Sequence, residues 1–345
     1  MRVTIITPAR PGSSGGNRTT AERWAEFLRQ AGHSVAVERE WSGEPAELMV
    51  ALHARHSHHS IERYAESLPG HPLVVVLTGT DLYRDIRTDP DARESLDLAT
   101  HLVVLQEAGL DELPEHHRLK TRVIYQSAEP TPRIPTPGRY FEVCVVGHLR
   151  AEKDPFCAAR AARLLPASSR IRITQAGRAL DAEHARRARE LSLHEPRYRW
   201  LGEIPQEEVR RLMARSRLLV QSSFMEGGAN AVSEALAAGL PVLASRISGN
   251  VGMLGEDYPG YYPAGDEHTL ADLLYRAESD EGFYRALEEG CEASRHLVLP
   301  ERERAAIEEL VRELCPTTSG DLDYTRGVMD ERTRIRLTRY STKAG

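Results

Sequence analysis

The chain has only four cysteines in 345 residues, Cys144, Cys157, Cys291 and Cys315, and no C-x-x-C pair among them. That spacing argues against structural zinc and for a reduced, cytoplasmic setting. No stretch approaches the roughly 20 apolar residues of a transmembrane helix, and the N-terminal apolar run is too short for a signal peptide and reads as a strand. Charge is nearly balanced, with 45 basic and 51 acidic residues and a net charge of -6, so nothing pulls the whole chain toward nucleic acid or an anionic membrane. Any anion must be held locally. Both G-x-G-x-x-G and the lysine of a P-loop are missing, which weakens a dinucleotide or ATP reading of the first glycine-rich loop.

What the chain does have is alternation. Apolar, β-rich runs (RVTIITP, HSVAVER, LMVALHA, LVVVLTG, HLVVLQ, RVIYQSA) are separated by helical patterns, which predicts a parallel sheet covered on both faces. Four prolines crowd into SAEPTPRIPTPGRY, and the alternation then restarts with FEVCVVGH, IRITQAG, YRWLGE, RLLVQSSF and LPVLAS. This is an α/β chain of two doubly wound, Rossmann-like domains facing a cleft: 1–130, a Pro-rich linker at 131–139, and 140–300. From Asp266 to Leu314 the pattern is helical. The segment 301–345 combines a helix whose apolar face must pack on something, the N-terminal domain being one partner, with a polar tail expected to be irregular. Closure about the linker would exclude water from the cleft.

Two loops suit anions. PARPGSSGGNRTTAE runs from a strand through glycines into a helix, so the amides at Gly15, Gly16 and Asn17, with Arg18, form a cradle. In SSFMEGGANAVSEALAAGLPVLAS, Glu226 sits at a strand-to-helix loop and Glu234 on the helix that follows. Between them the amides of Gly227, Gly228, Ala229 and Asn230 point from a helix N-terminus toward a phosphate. Taken alone, E-x7-E also arises on charged helices. In VVGHLRAEKDP, His148, Arg150 and Lys153 are candidate cations, although such a loop pair is usually solvated surface. LHARHS and LTGTDLYRD offer His53, Arg55, Thr80 and Asp81. Asp81 reads either as a positioning group or base, or as a cap of the following helix shared with Thr80. The run His53, His56, His58, His59 looks like a metal cluster, but its spacing spreads the rings over different faces and suggests no acidic or cysteine partner. The D-L-D of Asp321 to Asp323 lies in the polar tail and reads as chance.

With the strand before it and the small-residue strand after it, the Glu226–Glu234 segment resembles the signature of glycosyltransferase family 4, retaining enzymes of the GT-B fold. That resemblance implies that Glu226 contacts the donor sugar, that the amides hold a diphosphate, and that Glu234 binds ribose. VVGHLRAEKDP is similar to the family's G-R-L-x-x-E-K segment, with Lys153 matching its lysine, His148 standing where the family has arginine, and Arg150 a substitute two residues on. LGEIPQEEV resembles the segment that meets the nucleotide base, through Glu203 and Ile204. Across roughly residues 1 to 315 the chain resembles a narrower group, the selenosugar synthases of selenoneine biosynthesis. The implied reaction joins selenophosphate to a UDP-sugar, UDP-N-acetylglucosamine or UDP-glucose, and releases UDP. The N-terminal cradle with His53, Arg55, Thr80 and Asp81 would then hold the acceptor, without a metal or other cofactor. Selenophosphate synthase and a downstream selenoneine-forming enzyme would be functional partners, with no nucleic acid and no membrane. Retention is the family expectation, and the product anomer stays open. The alternatives are a family 4 enzyme with another small or lipid acceptor, a nucleotide-linked epimerase, and a nonenzymatic sugar-nucleotide sensor.

Overall fold

The computed structural model describes residues 1–10, 12, 15–135 and 138–314. Strands β1 (Arg2–Ile6), β2 (Ser34–Glu38), β3 (Leu48–Leu52), β4 (Leu73–Leu77), β5 (His101–Val104) and β6 (Thr121–Val123) form one parallel sheet in the order β2-β1-β3-β4-β5-β6. Strands β7 (Phe141–Val146), β8 (Ile171–Ala176), β9 (Tyr198–Trp200), β10 (Leu218–Gln221), β11 (Val242–Ser245) and β12 (Tyr261–Tyr262) form a second, in the order β12-β11-β10-β7-β8-β9. Every residue of β3 and β4 is buried, because helices cover both faces; uniformly apolar strands are what such a sheet demands. The fold is therefore the expected GT-B pair of Rossmann-like lobes.

Each sheet reverses its direction of growth once, and this fixes where a ligand can sit. In the first sheet the reversal lies between β1 and β3, which pair from Val3↔Leu48 to Ile6↔Ala51. In the second it lies between β7 and β10, paired at Leu218↔Val143 and Leu219↔Cys144. Loops leaving the carboxyl ends at such a point diverge to opposite faces and leave a crevice. The chain after β7 carries His148 to Lys153 and the chain after β10 carries Glu226, so both motifs open on the same crevice.

Residues 131–135 of the linker have no regular structure. Ile134 N–H donates to Ala214 O at 2.9 Å, and the Arg133 guanidinium donates to the carbonyls of Met213 and Ser216. This half of the linker is thus fastened to the second lobe. The helix Pro300–Leu314 lies against the first lobe's helix Gly16–Gln30. Its Glu303 has no exposed side-chain surface. One carboxylate oxygen accepts from Arg23 Nε at 2.6 Å, Ser127 N at 2.8 Å and the Ser127 hydroxyl, and the other from Trp24 Nε1 at 2.7 Å and Arg23 Nη2 at 3.0 Å. The tail at 316–345, with Asp321 to Asp323, and linker residues 136 and 137 lie outside the described residues. Among the described residues no helix is long and apolar enough to cross a membrane.

Candidate active site

Glu226 is 6% exposed, and its Oε1 gathers three donors: the Lys153 ammonium, Gln221 Nε2 at 2.7 Å and the Ser223 hydroxyl. A carboxylate so buried needs its charge answered, and Lys153 answers it across the β7/β10 crevice. Lys153 ends a short 3-10 turn, Ala151–Lys153. Asp154 then takes a left-handed conformation (φ 37) and its carboxylate receives both terminal nitrogens of Arg160, at 2.9 and 3.1 Å. Ser222 Oγ reaches the carbonyls of Lys153 and Asp154 at 3.2 and 2.9 Å, which ties the lysine loop to the end of β10. Sequence reasoning missed Gln221, Ser222 and Ser223. Their one signal is the small polar run QSS at the carboxyl end of an apolar strand.

Helix Asn230–Ala237 begins behind Glu226 with no side-chain cap and no acidic residue in its first turn. The N–H groups of Gly227, Gly228, Ala229, Asn230 and Ala231 have no acceptor among the described residues. An uncapped helix start is an anion seat: its amides converge and the helix dipole adds partial positive charge. Glu234, one turn into the helix, accepts from Gln206 Nε2 at 2.6 Å. Desolvation raises its pKa, and Gln206, Arg210 and Arg23 oppose that shift. With Asn230, Gln206, Arg210, Arg23 and Thr19 it lines a cleft of about 340 Å³.

The remaining second-lobe candidates flank this seat. His148 Nδ1 accepts from Arg178 N–H at 3.3 Å, so the ring proton resides on Nε2. Desolvation lowers its pKa, helped by the positive charges of Arg178, Arg150 and Lys153 and opposed by Glu203, and the net shift favours the neutral ring. It therefore supplies hydrogen bonding where the resembled family supplies charge. The Arg150 guanidinium makes no ion pair among the described residues and remains the available cation. Glu203 is exposed and lies 3.9 Å from Arg178, while Ile204 packs against the second-lobe core.

On the first lobe, Gly15 precedes helix Gly16–Gln30, which likewise lacks a side-chain cap and first-turn acid. Arg18 Nε is 2.6 Å from Glu22 Oε1, an i,i+4 pair that positions the guanidinium beside the open turn. His53 adopts φ 76, rare outside glycine. Its Nδ1 accepts from His56 N–H at 3.3 Å, which leaves the Nε2 proton for Thr80 Oγ1 at 3.0 Å.

One assignment needs correction. Asp81 is fully buried. Its Oδ1 accepts from Thr78 N at 2.9 Å and Gly79 N at 2.8 Å, and its Oδ2 from Ala54 N at 3.0 Å. It braces two loops and has no route to act as a base or meet a substrate. Arg55 is paired with Asp89 at 2.7 Å and faces Asp85 at 4.0 Å, so its charge is answered within the first lobe.

The two lobes touch at the site itself. A Cβ on Gly227 would lie 2.5 Å from the Thr78 carbonyl and 2.8 Å from Gly79 N, both backbone, so only glycine fits there. A Cβ on Gly16 would come within 2.9 Å of Asn230 Nδ2, which brings the starts of the two open helices together. Tyr83 OH meets Gln106 Nε2 at 3.0 Å and Ser248 Oγ at 2.9 Å, a second bridge between lobes that no sequence motif marks.

Residues 129–293 match the family of glycosyl transferases group 1. Among solved structures, HepE of Anabaena in complex with UDP-glucose superimposes with a TM-score of 0.73 at 15% identity, covering 91% of this chain and 100% of that one. Sucrose-phosphate synthase of Thermosynechococcus elongatus gives a TM-score of 0.74 at 17% identity, covering 91% and 98%. A trehalose phosphorylase of Pleurotus pulmonarius is 38% identical over 82 residues, 24% of this chain, which thus matches only 11% of that relative's length. The matched stretch 129–293 holds Glu226, Lys153 and the uncapped helix start.

Proposed function

We propose that this GT-B chain transfers the glycosyl group of UDP-N-acetylglucosamine or UDP-glucose to selenophosphate and releases UDP. The observation that carries the reading is the row of unpaired amides from Gly227 to Ala231 beside Lys153, a seat for a diphosphate that needs no metal ion to neutralise it. A nucleotide-sugar donor is also in keeping with the UDP-glucose bound to HepE.

The acceptor half is supported by the second open helix start, at Gly16, meeting Asn230 across the cleft, and by the resemblance of the whole chain to selenosugar synthases. With the lobes this close, the acceptor that fits is small and anionic. Selenium is intrinsically nucleophilic, so positioning matters more than a base, which agrees with an Asp81 buried away from the chemistry. The selenium lone pair attacks the anomeric carbon. The bond from that carbon to the β-phosphate oxygen breaks, and its electrons leave with UDP. Hydrolysis of the Se–P bond then gives the 1-selenosugar. Lys153, Arg150 and the amides stabilise charge as it develops on UDP, while Glu226 holds the sugar hydroxyls.

The test is incubation of the protein with each UDP-sugar, with and without selenophosphate, followed by mass spectrometry for UDP and a carbon–selenium product. UDP release without selenophosphate, and no selenium product with it, would overturn the acceptor assignment and leave a glycosyltransferase of another acceptor. Arg18→Ala should raise the KM for selenophosphate about tenfold or more, the weight of a lost charge-assisted hydrogen bond, with the donor KM little changed. Equal rises for both substrates would contradict the division of labour between lobes. His148→Gln should keep the donor KM at pH 7.5 within about tenfold, because a neutral hydrogen bond is all it removes; a larger rise would mean the ring carries charge.

A further inference from the structure

We propose that His58, Glu62 and Glu94 form a binding site for one divalent transition cation of the zinc class, separate from the Lys153–Glu226 centre and with no part in the bond-breaking step. His58 and Glu62 stand one turn apart on helix His58–Ser67, and Glu94 lies on the helix packed against it, Pro90–Leu98. His58 Nε2 is 3.7 Å from Glu94 Oε2, and one ligand atom from each of the three residues falls within 4.8 Å of the others. A tetrahedral ion with bonds of about 2.1 Å sets its donors about 3.4 Å apart, so modest rotation of the two glutamates completes the triad. Imidazole nitrogen with two carboxylates is a donor set for zinc and its neighbours, with room for water as the fourth ligand.

The histidine is prepared for this role. Its Nδ1 lies 3.0 Å from Ser95 Oγ, and that hydroxyl has its own acceptors in the carbonyls of Ala54 at 2.8 Å and Asp91 at 2.9 Å. Ser95 therefore receives a proton from Nδ1, which leaves the Nε2 lone pair facing the carboxylates. The His58 side chain is 12% exposed and that of Glu94 55%, so the ring is held while the site stays open to solvent. Asp97, His116 and His117 form another such group, but there Lys120 Nζ sits on the carbonyls of Leu96 and Ala99, and its positive charge opposes a cation.

Occupancy reaches beyond the surface. Ser95 holds Ala54 O, Ala54 N–H is held by Asp81, and Asp81 holds Thr78 and Gly79, which pack on Gly227. A cation at His58 would thus fasten the far end of a hydrogen-bond chain that ends at the donor loop.

The experiment titrates zinc into the chelator-stripped full chain against a chromophoric competitor, with thermal melts in parallel. One equivalent should bind at micromolar concentration or tighter and raise the melting temperature. Glu94→Gln and His58→Gln should each weaken binding at least tenfold, and Ser95→Ala about 10- to 100-fold, while His117→Gln leaves it unchanged. Glu94 is exposed, so Glu94→Gln should melt like the parent without metal, which separates lost binding from lost folding. Absence of one-equivalent binding, or an affinity unmoved by Glu94→Gln, would overturn the site, as would an affinity lost in His117→Gln.

Discussion

Lys153→Ala is expected to lower kcat/KM for glycosyl transfer by about 10²–10³-fold, mostly through kcat. The ammonium pairs with the buried Glu226 carboxylate, next in sequence to the unpaired amides from Gly227 to Ala231, where the proposed reaction would build negative charge on the departing diphosphate. Its removal takes away the cation that matters most in the transition state and leaves Glu226 with only neutral donors from Gln221 and Ser223. Initial rates of UDP release at varied donor concentration provide the measurement. A loss of less than tenfold, or a rise in KM alone, would reduce Lys153 to a partner of Glu226 with no share in leaving-group departure. Lys153→Arg should recover part of the rate, because it keeps the charge but not the compact point geometry.

The second large effect is on stability. Glu303→Ala should destabilise the chain by about 3–5 kcal/mol, the range for breaking a buried charged pair on one side. The substitution strands the Arg23 guanidinium, which is 18% exposed, together with the buried Trp24 Nε1–H and Ser127 N–H. Glu303→Gln keeps an acceptor for some of these donors and should cost less. Urea denaturation followed by tryptophan fluorescence reads both. A shift under about 1 kcal/mol for Glu303→Ala, the scale of an exposed ion pair, would mean that the site opens to solvent.

Local pattern and long-range contact divide what the sequence reveals from what it hides. Strands β3 and β4 are legible because burial on both faces requires unbroken apolar runs, and the β7/β10 crevice follows from restarting that pattern after the prolines. Glu226, Lys153 and the helix start at Asn230 are legible because an anion seat needs glycines and a helix in a set order. Strand β12 is not: Tyr261–Tyr262 is two residues long and exists only through pairing with β11. Asp81 illustrates the commonest ambiguity. A carboxylate after a strand reads equally as chemistry or as bracing, and only the three backbone N–H groups around it decide. Glu303 is the hardest case, since a glutamate in ERERAAIEELVREL looks like solvated helix surface until Arg23, Trp24 and Ser127 are brought to it from far upstream. The triad of His58, Glu62 and Glu94 was hidden in the same way, because Glu94 arrives on another helix.

The position of helix Pro300–Leu314 also bears on synthesis. A ribosome releases the first lobe long before it makes this helix, so for most of translation Trp24, Arg23 and Ser127 lack the carboxylate they enclose in the finished chain. The first lobe is begun first and completed last, after the entire second lobe has emerged. That order leaves an apolar flank of helix Gly16–Gln30 uncovered during elongation, a surface that chaperones recognise, and makes a chain cut short before residue 300 defective in the lobe it seems to have left intact.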